Sequence, residues 1–584
     1  MSSLPQIGFV DIDEHFADFV AQFGGDPMLM SLAAALLSRS IREGHVCISL
    51  WPMPRSPDEI NLDTILEWPS ASTWRRVFAG SKAVGGPNAQ TPLVLDDSDR
   101  LYLRRYWNYQ QRLARALRVK AAGNRGDGRG QTGTRAGAID AAVNNALTII
   151  SGGPGTGKTT MVLHILAQLL QKPGREHLRV ALTAPTGKAA ARLEETIRTG
   201  LEKLECPEEV KARMPRVAST IHRLLGFKGN SVYFRHDSRN PLPLDLLVID
   251  EASMVALPLL AKLFDALPER CRVVLLGDRD QLASVEPGAV LADMVDAAVL
   301  PGSPLHQAVV TLEKNYRFSE ESGIHHLCGA VRQGEAQEAI RILREKSLGD
   351  LVSFEHHQPR PPQAKFSEAV LGGFSALVAE KQPAIALAQL KTFRVLAALR
   401  RGPFGVEGLN RKIEEILAEA NLIPDPTSSG YAGKPILITQ NDHQIQLYNG
   451  DVGILLPDAA ATENPTQLWA WFLGKENTLR RFAPARLPQH EAAYAMTVHK
   501  SQGSEFDRVL FILPDRDIPV LTRELIYTGL TRARSQVELW WNETVLGQAV
   551  IRRAERDSGL RDALSAPTAK MARPRPEQLR LFDE

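Results

Sequence analysis

From residue 139 onward the chain repeats one pattern: a short apolar run, a break at glycine or polar residues, then a helical period. The runs at 147–151, 180–183, 246–249 and 273–276 are rich in Val, Ile and Leu and show little polar alternation. Strands covered on both faces of a parallel sheet have this pattern, and the helical periods between them supply the crossovers. A second set at 393–397, 436–439, 509–513 and 537–540 predicts a second α/β lobe. Between them, the stretch at about 440–490 is broken by turn residues and short strand patterns, and reads as a small β insertion in the second lobe.

Upstream the pattern is different. Residues 29–41 are apolar and Ala-rich, Gly44 breaks the run, and a short apolar stretch follows at 46–50. A second helical pattern extends over 101–119 through Tyr106, Trp107 and Leu113, so residues 1–120 read as a separate, mainly helical unit. Residues 121–137 hold six glycines in seventeen positions and almost no apolar side chains, the composition of a linker or mobile loop. The expected division is an N-terminal unit (1–120), a linker (121–137), a first lobe (138–330), a second lobe (331–564) and a polar, Pro-rich flexible tail (565–584).

Composition changes this picture little. With 584 residues, 44% hydrophobic and 23% charged, the chain can bury several cores. The first twenty residues carry Asp11, Asp13, Glu14 and Asp18 and do not read as a secretory signal. No apolar run approaches the ~18 residues of a membrane span. Cys47, Cys206, Cys271 and Cys328 are scattered, fitting neither a zinc site nor a disulfide framework, so a reducing cytoplasm is expected. The net charge of +2 neither supports nor excludes a nucleic-acid partner, because a basic groove can be offset by acids elsewhere.

The motifs carry the chemistry. Gly152, Gly153, Pro154, Gly155, Thr156, Gly157, Lys158, Thr159 and Thr160 form a complete phosphate-binding loop between an apolar run and a helical period. Its glycines let backbone N–H groups close around phosphates, Lys158 suits the β and γ phosphates, and the Thr159 hydroxyl suits Mg²⁺. The implied ligands are ATP and Mg²⁺. The apolar run at 246–249 ends in Asp250 and Glu251, 92 positions after Lys158. One carboxylate can hold the metal and the other can polarise the attacking water. Adjacent acids on a surface are usually a solvated pair; ending a buried strand downstream of a phosphate loop, these read as catalytic. The acids Asp96, Asp97 and Asp99 read instead as a turn and helix N-cap.

In order and nearly end to end, the motifs resemble those of superfamily 1 helicases. VALTAPTGKAAARLE (180–194), STIHRLLG (219–226), LLVIDEASMV (246–255) and LGDRDQLASVEPGAV (276–290) match the first motor lobe. NYRF (315–318), TVHKSQGSEFD (497–507) and RELIYTGLTRAR (523–534) match the motifs that follow. Within that class, FRVLAALRRGPFGVEGLN (393–410), QNDHQIQLYNGDVGI (440–454), REGHVCISL (42–50) and RLYLRRYWNYQ (100–110) resemble the RecD-type alpha subunit of bacterial exonuclease V. The resemblance covers most of the chain beyond residue 30.

It implies two RecA-like motor lobes, a small SH3-like β insertion and a partner-docking N-terminal domain. The implied activity is 5′→3′ DNA unwinding on single strands and duplex ends, within a heterotrimer with the beta and gamma subunits, the nuclease lying in another subunit. Arg317 and Arg532 become the arginines supplied to the γ phosphate from two lobes, an effect worth ~10³–10⁵ in rate. Gln281 is implied as γ-phosphate sensor, Tyr316 as the stack for adenine, and Thr186, Thr220, His222, Thr497 and His499 as single-strand contacts. The segment 227–242, with Tyr233 and Phe234, is implied as a duplex-splitting hairpin. Core packing or turn chemistry is the plain alternative for each of these strand contacts.

Two departures stand out. The family's glutamine upstream of the phosphate loop falls in register on Ala136, with Gln131 nearby but out of register, which leaves adenine selectivity open. The third motif lacks the aromatic stacking platform of 3′→5′ relatives, in keeping with the 5′→3′ branch. The final segment contains Gln578-Leu-Arg-Leu-Phe582, similar to the short peptide by which bacterial proteins bind the sliding clamp, with docking on the chain itself or a partner subunit as the alternative. A standalone helicase and an ATP-switched assembly subunit are the competing functions.

Overall fold

The computed structural model describes residues 8–51, 68–124, 133–175, 177–229, 231–345, 349–357, 360–425, 430–442, 444–458, 466–474 and 478–565. The clamp-like segment from Gln578 to Phe582, Gln131 and much of the Gly-rich segment lie outside them.

The first lobe is a six-stranded parallel sheet in the order Val309–Leu312, Leu147–Gly152, Arg272–Gly277, Leu246–Ile249, Val180–Ala184, Ala218–Thr220. Every residue of Leu147–Gly152 and Leu246–Ile249 is buried, which is why these runs show no alternation. The chain leaves Leu147–Gly152 toward one side of the sheet and later returns on its other side as Val309–Leu312. That strand therefore ends at a topological switch point, where the crossovers diverge and leave a crevice.

The second lobe is a five-stranded parallel sheet in the order Leu351–Glu355, Ala533–Trp541, Phe506–Ile512, Phe393–Ala397, Ala495–Thr497. Between Phe393–Ala397 and Ala495–Thr497 the chain builds a separate antiparallel sheet, ordered Leu479–Phe482, Leu468–Leu473, Val452–Pro457, Lys434–Ile438, His490–Ala492. The run at 436–439, expected in the motor sheet, belongs to this insertion. Four of the five residues in Lys434–Ile438 are buried, so its pattern copies that of a parallel strand.

The N-terminal unit has helices Asp11–Ala21, Pro27–Arg42 and Ala71–Ala79, and also a four-stranded sheet. The helical reading of 101–119 is corrected at its start: Arg100–Leu103 is a strand paired antiparallel with Leu93–Leu95, and the helix is Arg104–Ala122. Asp96, Asp97 and Asp99 form the turn between those strands and not a helix cap. Asp96 accepts from the backbone N–H groups of Ser98 and Arg100 and from the Tyr102 hydroxyl at 3.0 Å.

Helix Arg104–Ala122 lends Tyr106, Leu113 and Leu117 to the core of the first lobe, against Leu260, Leu263 and Phe264. The Lys120 ammonium is spent on the carbonyls of Glu269 (3.1 Å) and Cys271 (2.6 Å). After helix Glu543–Ile551 the chain leaves the second lobe and straps across the molecule. Arg556 donates to the carbonyls of Gly44 (2.8 Å) and Ser284 (3.0 Å), and Val46 N–H donates to the Asp557 carbonyl at 2.8 Å. Leu560 and Leu564 then enter the same first-lobe core. At Gly559 a Cβ would crowd the Tyr102 hydroxyl and the Gln110 side-chain amide, so a side chain there would force them to shift. Among the described residues, no helix is long and apolar enough to cross a membrane.

Helix Val290–Ala298 packs against the strap helix Leu560–Ser565, and burial pushes the Asp293 carboxyl on it up to about 7, against the opposing Ser558 hydrogen bond. Between the unfolded value of ~3.9 and about 7 the folded state binds the extra proton, so stability falls as pH rises through that window and stays lost above it. Asp293→Asn is expected to raise the melting temperature more at pH 8 than at pH 5, measured by differential scanning fluorimetry.

Candidate active site

The phosphate loop sits at the crevice end of Leu147–Gly152, and helix Lys158–Gln171 starts directly from it. Gly155 (φ 85°) and Gly157 (φ 80°) take left-handed backbone angles that side chains resist, and a Cβ at Gly155 would strike Asn315 and Arg317. The Lys158 ammonium donates to the carbonyls of Gly152 and Gly153, the latter at 2.9 Å. Thr159 Oγ1 donates to Asp250 Oδ2 at 2.9 Å. The strand Leu246–Ile249 thus delivers its terminal carboxylate to the start of the phosphate-loop helix, two strands away in the sheet.

Burial, reinforced by the neighbouring Glu251 charge, raises the Asp250 pKa, and the Thr159 hydrogen bond opposes it. A buried carboxylate beside a hydroxyl is a donor set that suits a hard divalent cation, which would replace the missing solvation. Glu251 holds a left-handed φ of 53°, rare without a glycine. Such strain persists where the surrounding structure imposes it, often at functional sites.

The second lobe closes the crevice. Arg532, 2% exposed, donates through Nη2 to Gln281 Oε1 at 3.1 Å, and Gln281 Nε2 donates to Asp278 Oδ2 at 3.1 Å. The Tyr527 hydroxyl, also from the second lobe, donates to the same Asp278 oxygen at 3.0 Å. Leu282 N–H donates to Thr528 Oγ1 at 2.9 Å, and Gln502 Nε2 donates to the Leu282 carbonyl at 2.9 Å. Burial lowers the Arg532 pKa and raises that of Asp278. Arg317 reaches the Glu505 carboxylate of the second lobe.

Tyr316 is half exposed and tied to the loop by its backbone N–H, which donates to the Gly155 carbonyl at 2.9 Å. The guanidinium of Arg135 lies 5.4 Å from its ring centroid, and the Lys314 ammonium lies at the same distance. Arg135 opens helix Arg135–Asn144 and adjoins Ala136, the position where the expected glutamine is missing. The helix begins inside the segment expected as linker.

The proposed strand-contacting threonines share one local role. Thr186, Thr220 and Thr497 are helix N-caps, accepting from the N–H groups of Ala189 (3.2 Å), Arg223 (3.3 Å) and Lys500 (3.2 Å). Thr186 and Thr220 follow adjacent strands at one edge of the first sheet, and Thr497 ends the edge strand of the second. The lobes meet there, since Thr186 Oγ1 lies 3.6 Å from where a Gly503 Cβ would stand. Phe234 packs edge-on against His222 at 5.7 Å while Tyr233 is exposed, and the expected hairpin is closed by a single bridge between Phe227 and Phe234. Burial lowers the pKa values of His222 and His499.

Lys158, Thr159, Asp250, Glu251, Gln281, Arg317, Arg532 and Tyr316 thus gather around one crevice. Asp278, Tyr527, Glu505 and Arg135 belong there too, although sequence reasoning did not single them out. Asp278 had a legible cue, an acid ending a buried strand as at Asp250.

Comparison with known proteins bears on this arrangement. Residues 8–102 match the family described as RecBCD enzyme subunit RecD, N-terminal domain, residues 135–287 an AAA domain, and residues 492–539 the UvrD-like helicase C-terminal domain. The chain is 37% identical to the RecBCD enzyme subunit RecD of Mycobacterium tuberculosis (strain CDC 1551 / Oshkosh) over 582 residues, covering 96% of each chain. It is equally identical to that of Mycolicibacterium smegmatis, over 94% of this chain and 97% of the other. The ATP-dependent RecD2 DNA helicase of Deinococcus radiodurans is 30% identical, over 75% of this chain and 54% of that protein. Among solved structures, a Bacteroides Pif1 bound to single-stranded DNA gives a TM-score of 0.37 at 17% identity, over 71% of this chain and 93% of the other. The fold assignment rests on the strand orders above and not on that distant likeness.

Loss of a stacked guanidinium removes ~0.5–2 kcal/mol of cation–π interaction. Arg135→Ala is therefore expected to raise KM for ATP by roughly 2–30-fold with kcat little changed, as read by steady-state hydrolysis.

Proposed function

We infer the function from the premise that this chain belongs to the family of RecBCD enzyme subunits RecD, being 37% identical to mycobacterial members over nearly their whole length. It is an ATP-dependent DNA helicase subunit. The observation that carries this reading is the crevice, with Thr159 and Asp250 joined on one lobe and Arg532 brought by the other to Gln281. The reading extends to 5′→3′ polarity, to assembly with the other subunits of RecBCD and to single-stranded DNA as the track.

The residues divide the work as follows. Backbone N–H groups of 155–157 and the Lys158 ammonium hold the phosphates of ATP. Thr159 and Asp250 would hold a magnesium ion, which would supply positive charge to neutralise triphosphate oxygens. Glu251 accepts the proton of the attacking water. Arg532 is the arginine supplied to the γ phosphate, Arg317, held by Glu505, would have to turn toward it, and Gln281, bonded to Arg532, reports its presence to the second lobe. Tyr316 stacks on the base with Arg135 beside its ring, and Ala136 replaces the glutamine expected to read the adenine edge, so nucleotides other than ATP are expected to be used as well.

Closure is favoured with triphosphate present because Arg532 then gains a charged partner, and it relaxes after hydrolysis. Alternating grip by the two lobes at Thr186 and Thr220 on one side and Thr497 on the other moves the chain along the strand. Grip without sequence preference comes from phosphate contacts. A chain serving only as an ATP-bound switch has no need of Glu251 and both arginines. The match of residues 8–102 to the N-terminal domain of RecD favours the subunit over the standalone reading.

The test is unwinding of duplexes carrying only a 5′ or only a 3′ single-stranded tail, with ATP and Mg²⁺. Unwinding from the 5′ tail alone, abolished by Lys158→Ala together with ATP hydrolysis, is the expected result. Unwinding from the 3′ tail would refute the polarity, and a Lys158→Ala chain that hydrolyses ATP normally would refute the site.

A further inference from the structure

The Glu505 carboxylate joins the lobes beside the nucleotide crevice. Glu505 stands in the second lobe between helix Val498–Ser501 and strand Phe506–Ile512, with its side chain 7% exposed. Its Oε1 accepts from Arg192 Nη2 at 2.6 Å and from Arg317, both first-lobe residues. Its Oε2 accepts from Arg534 Nε at 3.2 Å, and the neighbouring Ser504 carbonyl accepts from Arg532 Nη1 at 3.3 Å. Burial alone would push the Glu505 pKa up, but the charges of Arg192 and Arg317 outweigh it and hold it at about 2.

Three guanidiniums share the Glu505 carboxylate, with Asp507 standing 3.9 Å from Arg534 and the charges of Glu251 and Asp250 acting on Arg192. Without the carboxylate the guanidiniums would repel one another and lose their fixed directions. Glutamine could not replace it, because its amide would turn N–H donors toward guanidinium donors and remove the charge that offsets them.

The two first-lobe arginines arrive from functionally different places. Arg317 follows Tyr316, whose backbone is bonded to the phosphate loop. Arg192 rides on helix Gly187–Lys203, about 9 Å along the axis from its Thr186 cap, at ~1.5 Å per residue. Glu505 itself lies eight residues beyond the Thr497 cap. The carboxylate therefore stands where the two proposed strand-contacting caps and the nucleotide loop converge.

We propose that Glu505 is the positioning residue through which single-strand contact controls hydrolysis: it ties Arg317 to Arg192, so that movement of the Thr186-capped helix or the 497–505 segment on DNA redirects the Arg317 guanidinium toward the γ phosphate. This rests on the helicase reading above.

The test measures ATP hydrolysis by the full chain with and without oligo(dT), alongside KM for ATP, oligo(dT) affinity and melting temperature. In Glu505→Gln the stimulation by saturating oligo(dT) falls about tenfold to a hundredfold, while KM and DNA affinity stay within about threefold. Glu505→Asp, which keeps the charge, recovers part of the stimulation. Arg192→Gln reproduces the loss, and the double variant is no worse than either single one. Full stimulation in Glu505→Gln, a loss that tracks DNA affinity or melting temperature, or additive losses would overturn the proposal. If Glu505→Gln does not fold, Arg192→Gln decides alone, and unchanged stimulation there overturns it. Absence of any stimulation in the unaltered chain would count against the helicase reading instead.

Discussion

Everything at this site depends on polar groups that are buried only because two lobes meet. Gln281 and Asp278 belong to the first lobe and Arg532 and Tyr527 to the second, yet they form one hydrogen-bonded chain with little access to water. A buried amide or carboxylate left without partners costs about 1–3 kcal/mol or more. The lobes therefore cannot drift apart by small amounts while remaining dry. Either the chain of bonds is made, or water enters and replaces it. That gives the cleft two states, the physical requirement for turning a chemical cycle into movement.

The fold places this chain without special devices. Parallel strands deliver the phosphate loop, Asp250 and Asp278 to the C-terminal end of the first sheet, because the crossovers begin from strand C-terminal ends. The second lobe presents Glu505 and Arg532 from loops beside its sheet to the same crevice. The N-terminal unit and the C-terminal strap reinforce the first lobe from behind. Leu560 and Leu564 occupy its core although they follow the second lobe in sequence. The first lobe is thus braced at both ends of the chain, while the interlobe contacts near the nucleotide are mostly polar and can be exchanged.

Sequence reasoning reached the parts of this structure that depend on local pattern. Unalternating apolar runs revealed central strands, and the glycine–lysine–threonine spacing and the acids ending a buried run revealed the nucleotide crevice. Edge strands were not legible, since Ala218–Thr220 and Ala495–Thr497 are three residues long and carry threonine. The run at 436–439 was placed in the wrong sheet because burial on both faces occurs in a packed insertion as well as in a motor lobe. Arg100–Leu103 was absorbed into the helix after it, since its leucines continue the apolar pattern. Glu505 and Tyr527 were invisible for another reason: their partners lie hundreds of positions away, and only the folded chain brings a carboxylate to Arg192 and Arg317, or a phenol to Asp278.

On the proposed function, hydrolysis needs the bond between Gln281 and Arg532 across the crevice. A double-mutant cycle on DNA-stimulated kcat/KM for ATP, with Gln281→Ala, Arg532→Ala and the double variant, measures it most directly. Residues acting through one bond should be non-additive by about 0.5–3 kcal/mol, the double variant being little worse than the poorer single one. Additive losses within about 0.3–0.5 kcal/mol would mean the two act independently, and the closed crevice would not be the state that hydrolyses ATP.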